Sequence, residues 1–121
     1  MKEWNVGLMA HLGMSLVEVG ADKVVAELEV RDELTTVGGA VHGGTLMALA
    51  DTAGAVGTVA MGLRTATLES KTNFFAAAMG GKLRAESTAL HKGRRTHVWQ
   101  TRITDQNGRL VSLTIQTQMI L

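Results

Sequence analysis

No cysteine occurs in the 121 residues. Disulfides, thiolate metal sites and cysteine nucleophiles are therefore excluded, and nothing points to an oxidising compartment. Aromatic residues make up only 3% of the chain, which disfavours a stacking surface for single-stranded nucleic acid. A charge excess of one sign is also lacking. Lys+Arg number 12 against 11 Asp+Glu, so no imbalance predicts nucleic acid or a membrane surface as a partner. Residues 1–5 show no basic start leading into an apolar run, so no signal peptide is expected and the default location is cytoplasmic. His11, His91 and His97 are scattered without metal-ligand spacing. They are expected at the surface or at strand ends, with no metal and no cofactor.

Apolar residues make up 45% of the chain, enough for a sizeable core in one domain spanning 1–121. The chain is organised around residues 41–61. This stretch opens His42-Gly43-Gly44 and then runs almost uninterrupted in small and apolar residues, with Asp51 as its one charge. From about Gly43 to Met61 the composition suits a helix buried on every side. The run is about long enough to span a bilayer, but Asp51 falls mid-span and neither flank carries an aromatic belt or a basic cluster. A carboxylate in a buried helix is paired or takes part in chemistry.

Around this stretch the period is two. Residues 2–10 read as a short helix, and 13–20 as a strand. Val24, Ala26, Leu28 and Val30 alternate with Val25, Glu27, Glu29 and Arg31, predicting a half-buried strand that forms a hairpin with the one before. A loop ending in Gly38-Gly39 leads into the central helix, which stops near Gly62. Thr65–Phe75 follows as a strand, with Ala66, Leu68, Ser70, Thr72 and Phe74 sharing one face. Lys82–His91 and Arg95–Thr104 are further strands. Asp105-Gln106-Asn107-Gly108 is a hairpin turn, with Asn-Gly as its signal. Arg109–Leu121 is the last strand, with Val111, Leu113, Ile115 and Met119 on one face. Helix, two strands, long helix, four strands: the class is α+β with an antiparallel sheet. One curved sheet covers only part of an all-apolar helix, and a second subunit could cover the rest.

The order of elements, with Ala40-Val41-His42-Gly43-Gly44 and Leu49-Ala50-Asp51-Thr52-Ala53, resembles the hotdog-fold acyl-CoA thioesterases. The similarity is greatest to the branch holding the phenylacetate-pathway and 4-hydroxybenzoyl-CoA types. Segments 73–74, 90–95 and 105–111 fit the same pattern. The resemblance implies a long central helix wrapped by a curved antiparallel sheet, and hydrolysis of an aryl- or medium-chain acyl-CoA. Asp51 would be nucleophile or general base. Gly43, with His42, would hold the thioester carbonyl at the helix start, where free N–H groups and the dipole favour an oxyanion. Gly44, Thr36 and Thr52 would contact substrate. Related enzymes often carry Asn or Gln where Thr36 stands, and Ser or Thr where Ala55 stands. For CoA, Ser70, Asn73 and Gly80 would line the pantetheine channel, and Arg94 and Arg95 would meet phosphate.

Spacing adds a constraint. His42 and Asp51 are nine positions apart, about 13–14 Å along a helix. The attacking group and the oxyanion donors must both reach one reacting centre. A homodimer with two shared sites meets that need, Asp51 of one chain facing His42-Gly43 of the other. The resemblance also implies such dimers, often paired into homotetramers. Two other readings compete: a hotdog hydratase or dehydratase, and a non-catalytic acyl-CoA sensor, for whose output domain 121 residues leave no room.

Overall fold

A computed structural model describes residues 4–121. A short helix, α1 (Gly7–Leu12), precedes a hairpin of β1 (Ser15–Val19) and β2 (Lys23–Glu29). The long helix α2 (Gly43–Val59) follows, then β3 (Thr65–Phe74), β4 (Lys82–Lys92), β5 (Thr96–Thr104) and β6 (Leu110–Ile120). The strands form one open antiparallel sheet in the order β1-β2-β4-β5-β6-β3. This is the α+β class that the periodicity predicts and the hotdog arrangement that the resemblance implies. α2 touches every strand from β2 to β6. Because α2 joins β2 to β3, the chain crosses the sheet and leaves β3 as an open edge.

The core lies between α2 and the inner sheet face. Ala26 and Leu28 of β2, Leu83 and Ala85 of β4, and Ile103 of β5 pack with Leu46, Leu49 and Ala50 of the helix, and Val24 of β2 packs with Ala53 and Val56. The β6 end of the same face is polar: Ser112, Thr114, Gln116 and Gln118 are all buried. Two helix glycines allow close approach. A Cβ at Gly57 would stand 2.3 Å from the Trp99 ring, and one at Gly54 would stand 2.5 Å from Gln116 Oε1.

Several details depart from the sequence reading. The predicted helix over 2–10 is displaced to Gly7–Leu12, and residues 2 and 3 lie outside the described region. α2 ends two residues before Met61, and the chain turns at Gly62 with φ +83°. The helix is not buried on every side: Gly44, Met47 and Val59 are exposed, and Ala48, Asp51, Thr52 and Ala55 are half-buried. One sheet covers only one side of a cylinder.

In β3 a bulge between Thr67 and Glu69 breaks the face assignment. Thr65 and Thr67 face the helix before it, and Ser70, Thr72 and Phe74 after it. Ala66 is therefore not on the face of Ser70, because the extra residue shifts the parity. The β5–β6 turn is organised by Asp105 rather than by Asn-Gly alone. Its Oδ1 accepts from the N–H groups of Asn107 and Arg109, each at 2.9 Å, and only Gly108 has positive φ. These contacts hold the Asp105 carboxyl below the usual range, the Arg109 N–H contributing most.

His97 also departs from expectation. It stands near the start of β5 but is buried. Trp99 Nε1 donates to Thr58 Oγ1 at 2.9 Å, so the Thr58 hydrogen is left for His97 Nδ1 at 3.1 Å. Burial lowers the His97 pKa from its ordinary 6.5, and the charges of Lys92 and then His91 lower it further.

Candidate active site

His42 is the N-cap of α2, with extended backbone at φ −64° and ψ 136°. Its Nδ1 accepts from the Gly44 N–H at 2.7 Å, and its own N–H donates to Leu34 O at 2.9 Å. A neutral His42 that accepts at Nδ1 carries its hydrogen on Nε2, which makes Nε2 a donor. The ring is locked by the start of the helix it caps.

Gly43 is the first helical residue. Among the described residues its N–H has no hydrogen-bond partner. A free N–H at the positive end of a 17-residue helix is a donor suited to an anion or a polarised carbonyl. Gly43 also lets Phe74 close over the helix start, since a Cβ there would stand 3.2 Å from the Phe74 ring. Gly44 differs from the expectation of a second contact: its N–H is already committed to His42.

Asp51 sits eight residues after Gly43, on the boundary of the uncovered stripe of α2. At 1.5 Å per residue the two are separated by about 12 Å along one axis. Thr67 Oγ1 donates to Asp51 Oδ1 at 2.5 Å, and Gln116 Nε2 donates to it at 3.2 Å. The hydroxyl at Asp51 thus comes from the edge strand. Thr52, the nearest hydroxyl in sequence, makes no side-chain hydrogen bond among the described residues, and Ala55 brings none. Thr67 and Gln116 were missed because they lie 16 and 65 positions away. Only the sheet order, which puts β6 and β3 side by side, brings them to Asp51.

The other candidates are spread over the surface. Thr36 is exposed in the turn before α2, where its N–H donates to Ala40 O at 2.8 Å. Ser70 faces the helix, and its Oγ is buried without a partner among the described residues. Asn73 is exposed on the opposite face of β3. Gly80 lines a shallow groove of about 380 Å³ with Met79, Asp105, Gln106 and Arg109, apart from Asp51 and His42. Arg94 and Arg95 are exposed in the β4–β5 turn and make no ion pair among the described residues. Lys92 is tied to Asp22 at 2.6 Å. Among the described residues no three metal-ligating side chains cluster, and no helix is long and apolar enough to cross a membrane.

Comparison with known proteins identifies the family. Residues 38–112 match the family model of the thioesterase superfamily. A 1,4-dihydroxy-2-naphthoyl-CoA hydrolase of Listeria monocytogenes is 30% identical over 116 residues, covering 89% of this chain and 90% of that protein. A hypothetical thioesterase from Streptococcus pneumoniae, solved with coenzyme A, superposes with a TM-score of 0.93 at 26% identity, covering 100% of this chain and 96% of that one. A Haemophilus influenzae thioesterase gives a TM-score of 0.93 at 25% identity, covering 99% of this chain and 86% of that one. With the matched segment spanning the helix start, Asp51 and β3, the chain belongs to the thioesterase superfamily and is a hotdog-fold thioester hydrolase.

Proposed function

We propose that this protein hydrolyses the thioester of an aryl- or medium-chain acyl-CoA, at two sites shared between the chains of a homodimer. One observation carries the shared site. Asp51 and the free Gly43 N–H lie on one helix, about 12 Å apart by its rise, so one chain cannot bring both to a single carbonyl. The open edge supports the dimer. β3 is ten residues long, and Leu68 and Phe74 stand exposed on it beside unpaired backbone groups. A second β3 pairing there would bring the uncovered stripe of each α2 towards its twin. Paired dimers would make a homotetramer, as the resemblance implies.

In the assembled site the Gly43 N–H, with His42 Nε2–H beside it, receives the negative charge that develops on the carbonyl oxygen. Asp51 of the partner subunit supplies the attacking oxygen or removes the proton from an attacking water. Direct attack expels the CoA thiolate and leaves a mixed anhydride on Asp51 that water then hydrolyses, whereas activated water adds to the carbonyl and expels the thiolate in turn. Both routes consume one water and end in free acid and CoA thiol. Thr36 and Thr52 are the candidates for substrate contact. Ser70, Asn73, Gly80, Arg94 and Arg95 are the candidates for CoA itself. The aryl preference draws on the Listeria relative, named for a naphthoyl-CoA, and CoA as carrier draws on the Streptococcus complex.

The test is thiol release from benzoyl-, phenylacetyl- and octanoyl-CoA, with Asp51→Asn alongside. The expected result is a loss of kcat of about a thousandfold or more in the variant, the scale of removing a reacting group. Binding of acyl-CoA without thiol release by the wild-type chain would overturn the reading.

A further inference from the structure

Among the described residues every side-chain hydrogen bond to the Asp51 carboxylate falls on one oxygen. Thr67 Oγ1 lies 2.5 Å from Oδ1, and Gln116 Nε2 lies 3.2 Å from it. Among the described residues Oδ2 has no partner. The same Gln116 nitrogen lies 3.1 Å from the Asp51 carbonyl oxygen and 3.1 Å from Gln118 Oε1. Thr67 Oγ1 is also 2.6 Å from Gln118 Oε1. Gln118 Nε2 in turn donates to Thr65 Oγ1 at 3.1 Å. Its amide is oriented by these neighbours, because reversing it would set two nitrogens against each other at Gln116.

The hydrogens can be counted. Thr67 has one hydroxyl hydrogen and two acceptors within reach. Asp51 Oδ1, the nearer acceptor at 2.5 Å, takes it. Gln118 Oε1 then still accepts one hydrogen from Gln116. The second Gln116 hydrogen is shared between the Asp51 carbonyl and Oδ1.

This clamp is maintained against two costs. Gln116 Oε1 is buried without a partner among the described residues, which an apolar side chain of similar size would avoid. Gly54 weakens the middle of α2, yet an alanine there would place its Cβ 2.5 Å from Gln116 Oε1 and push the amide away. Both costs meet at the contact that holds Asp51.

We propose that Thr67 and Gln116 are positioning residues that fix Oδ1 of Asp51, so that Oδ2 is the oxygen presented to the thioester or to the attacking water. The inference rests on Asp51 being the reacting carboxylate. It goes further by naming the oxygen and the strand residues that select it. Thr67 is exposed on an edge strand and Val is a good strand former, so Thr67→Val removes the hydroxyl without opening the core.

The experiment measures kcat and KM for Thr67→Val, Thr67→Ser, Gln116→Met and Asp51→Asn. The substrate is whichever of benzoyl-, phenylacetyl- and octanoyl-CoA the wild type cleaves fastest. Thr67→Val and Gln116→Met are expected to lower kcat by about ten- to a hundredfold with KM changed by less than about twofold, and Thr67→Ser to recover most of the loss. Wild-type kcat in both Thr67→Val and Gln116→Met, with Asp51→Asn inactive, would overturn the positioning role alone. So would a loss confined to KM, or a serine variant no better than valine. Thiol release retained in Asp51→Asn, or absent from the wild type, would overturn the proposed function and this inference with it.

Discussion

The two ends of the inner sheet face are built from different chemistry. At the β2–β4 end, Val24, Ala26, Leu28, Leu83 and Ala85 form a dry contact with α2. At the β6–β3 end the inner face is Ser112, Thr114, Gln116, Gln118 and Thr67, and Gln116 and Thr67 hydrogen-bond Asp51 of the same helix. The dry end follows the ordinary rule for a core, in which burial of apolar area is the main stabilising term. The polar end gives up that gain and leaves Ser70 Oγ, Ser112 Oγ and Gln116 Oε1 without partners. It is also the end that holds Asp51 and borders the open edge. The contrast teaches that one end carries the fold and the other carries the carboxylate.

The sharpest way to break that contrast is to cut into the dry end. Leu83→Ala should destabilise the protein by about 2–5 kcal/mol through lost transfer energy and a residual cavity. The activity of the molecules that remain folded should be unchanged. Urea melts read beside kcat per folded chain check both halves of that expectation. A kcat loss comparable to that of Gln116→Met would erase the distinction between the ends.

A smaller effect separates the two ends by pH. His97 is buried neutral and its folded pKa lies below 6.5, so the unfolded chain takes up the proton first as pH falls. The stability linked to His97 is therefore complete above about pH 6.5 and is lost progressively as pH falls through the folded value. Thermal midpoints measured from pH 8 to pH 5 should decline on the acid side. His97→Gln should flatten that part of the curve. A flat wild-type curve would contradict the assignment of the Thr58 hydrogen.

How much of this was legible in the sequence follows the same division. β2 and β4 read clearly because alternation and burial coincide there: Leu83, Ala85 and Ser87 point in, Arg84 and Glu86 point out. In β6 a register shift at Val111 turns that side chain into the core, away from the expected face of Leu113, Ile115 and Met119. From Ser112 onward the period is regular but the polarity is inverted. Ile115 and Met119 are partly exposed on the outer face, and Gln116 and Gln118 are buried. A pattern rule sees the alternation but not that the polar side is the inner one. β3 was legible only in part, since one bulged residue near Leu68 separates Ala66 from the shared face of Ser70, Thr72 and Phe74. The His42-Gly43 start and Asp51 were legible because they stand in one helix with fixed spacing. Thr67 and Gln116 were not, because neither has a signal except its place in the folded sheet.

The shared site has a direct test. Gly43→Pro removes the free N–H at the first helical position, where proline is tolerated, and His42 already has the extended backbone that a residue before proline needs. Gly43→Pro and Asp51→Asn should each be inactive alone. Co-expressed in equal amounts, they should form half mixed dimers, each with one intact site, and recover about a quarter of wild-type thiol release. No recovery in a mixture proven to contain mixed dimers would mean that each chain completes its own site, and would contradict the account.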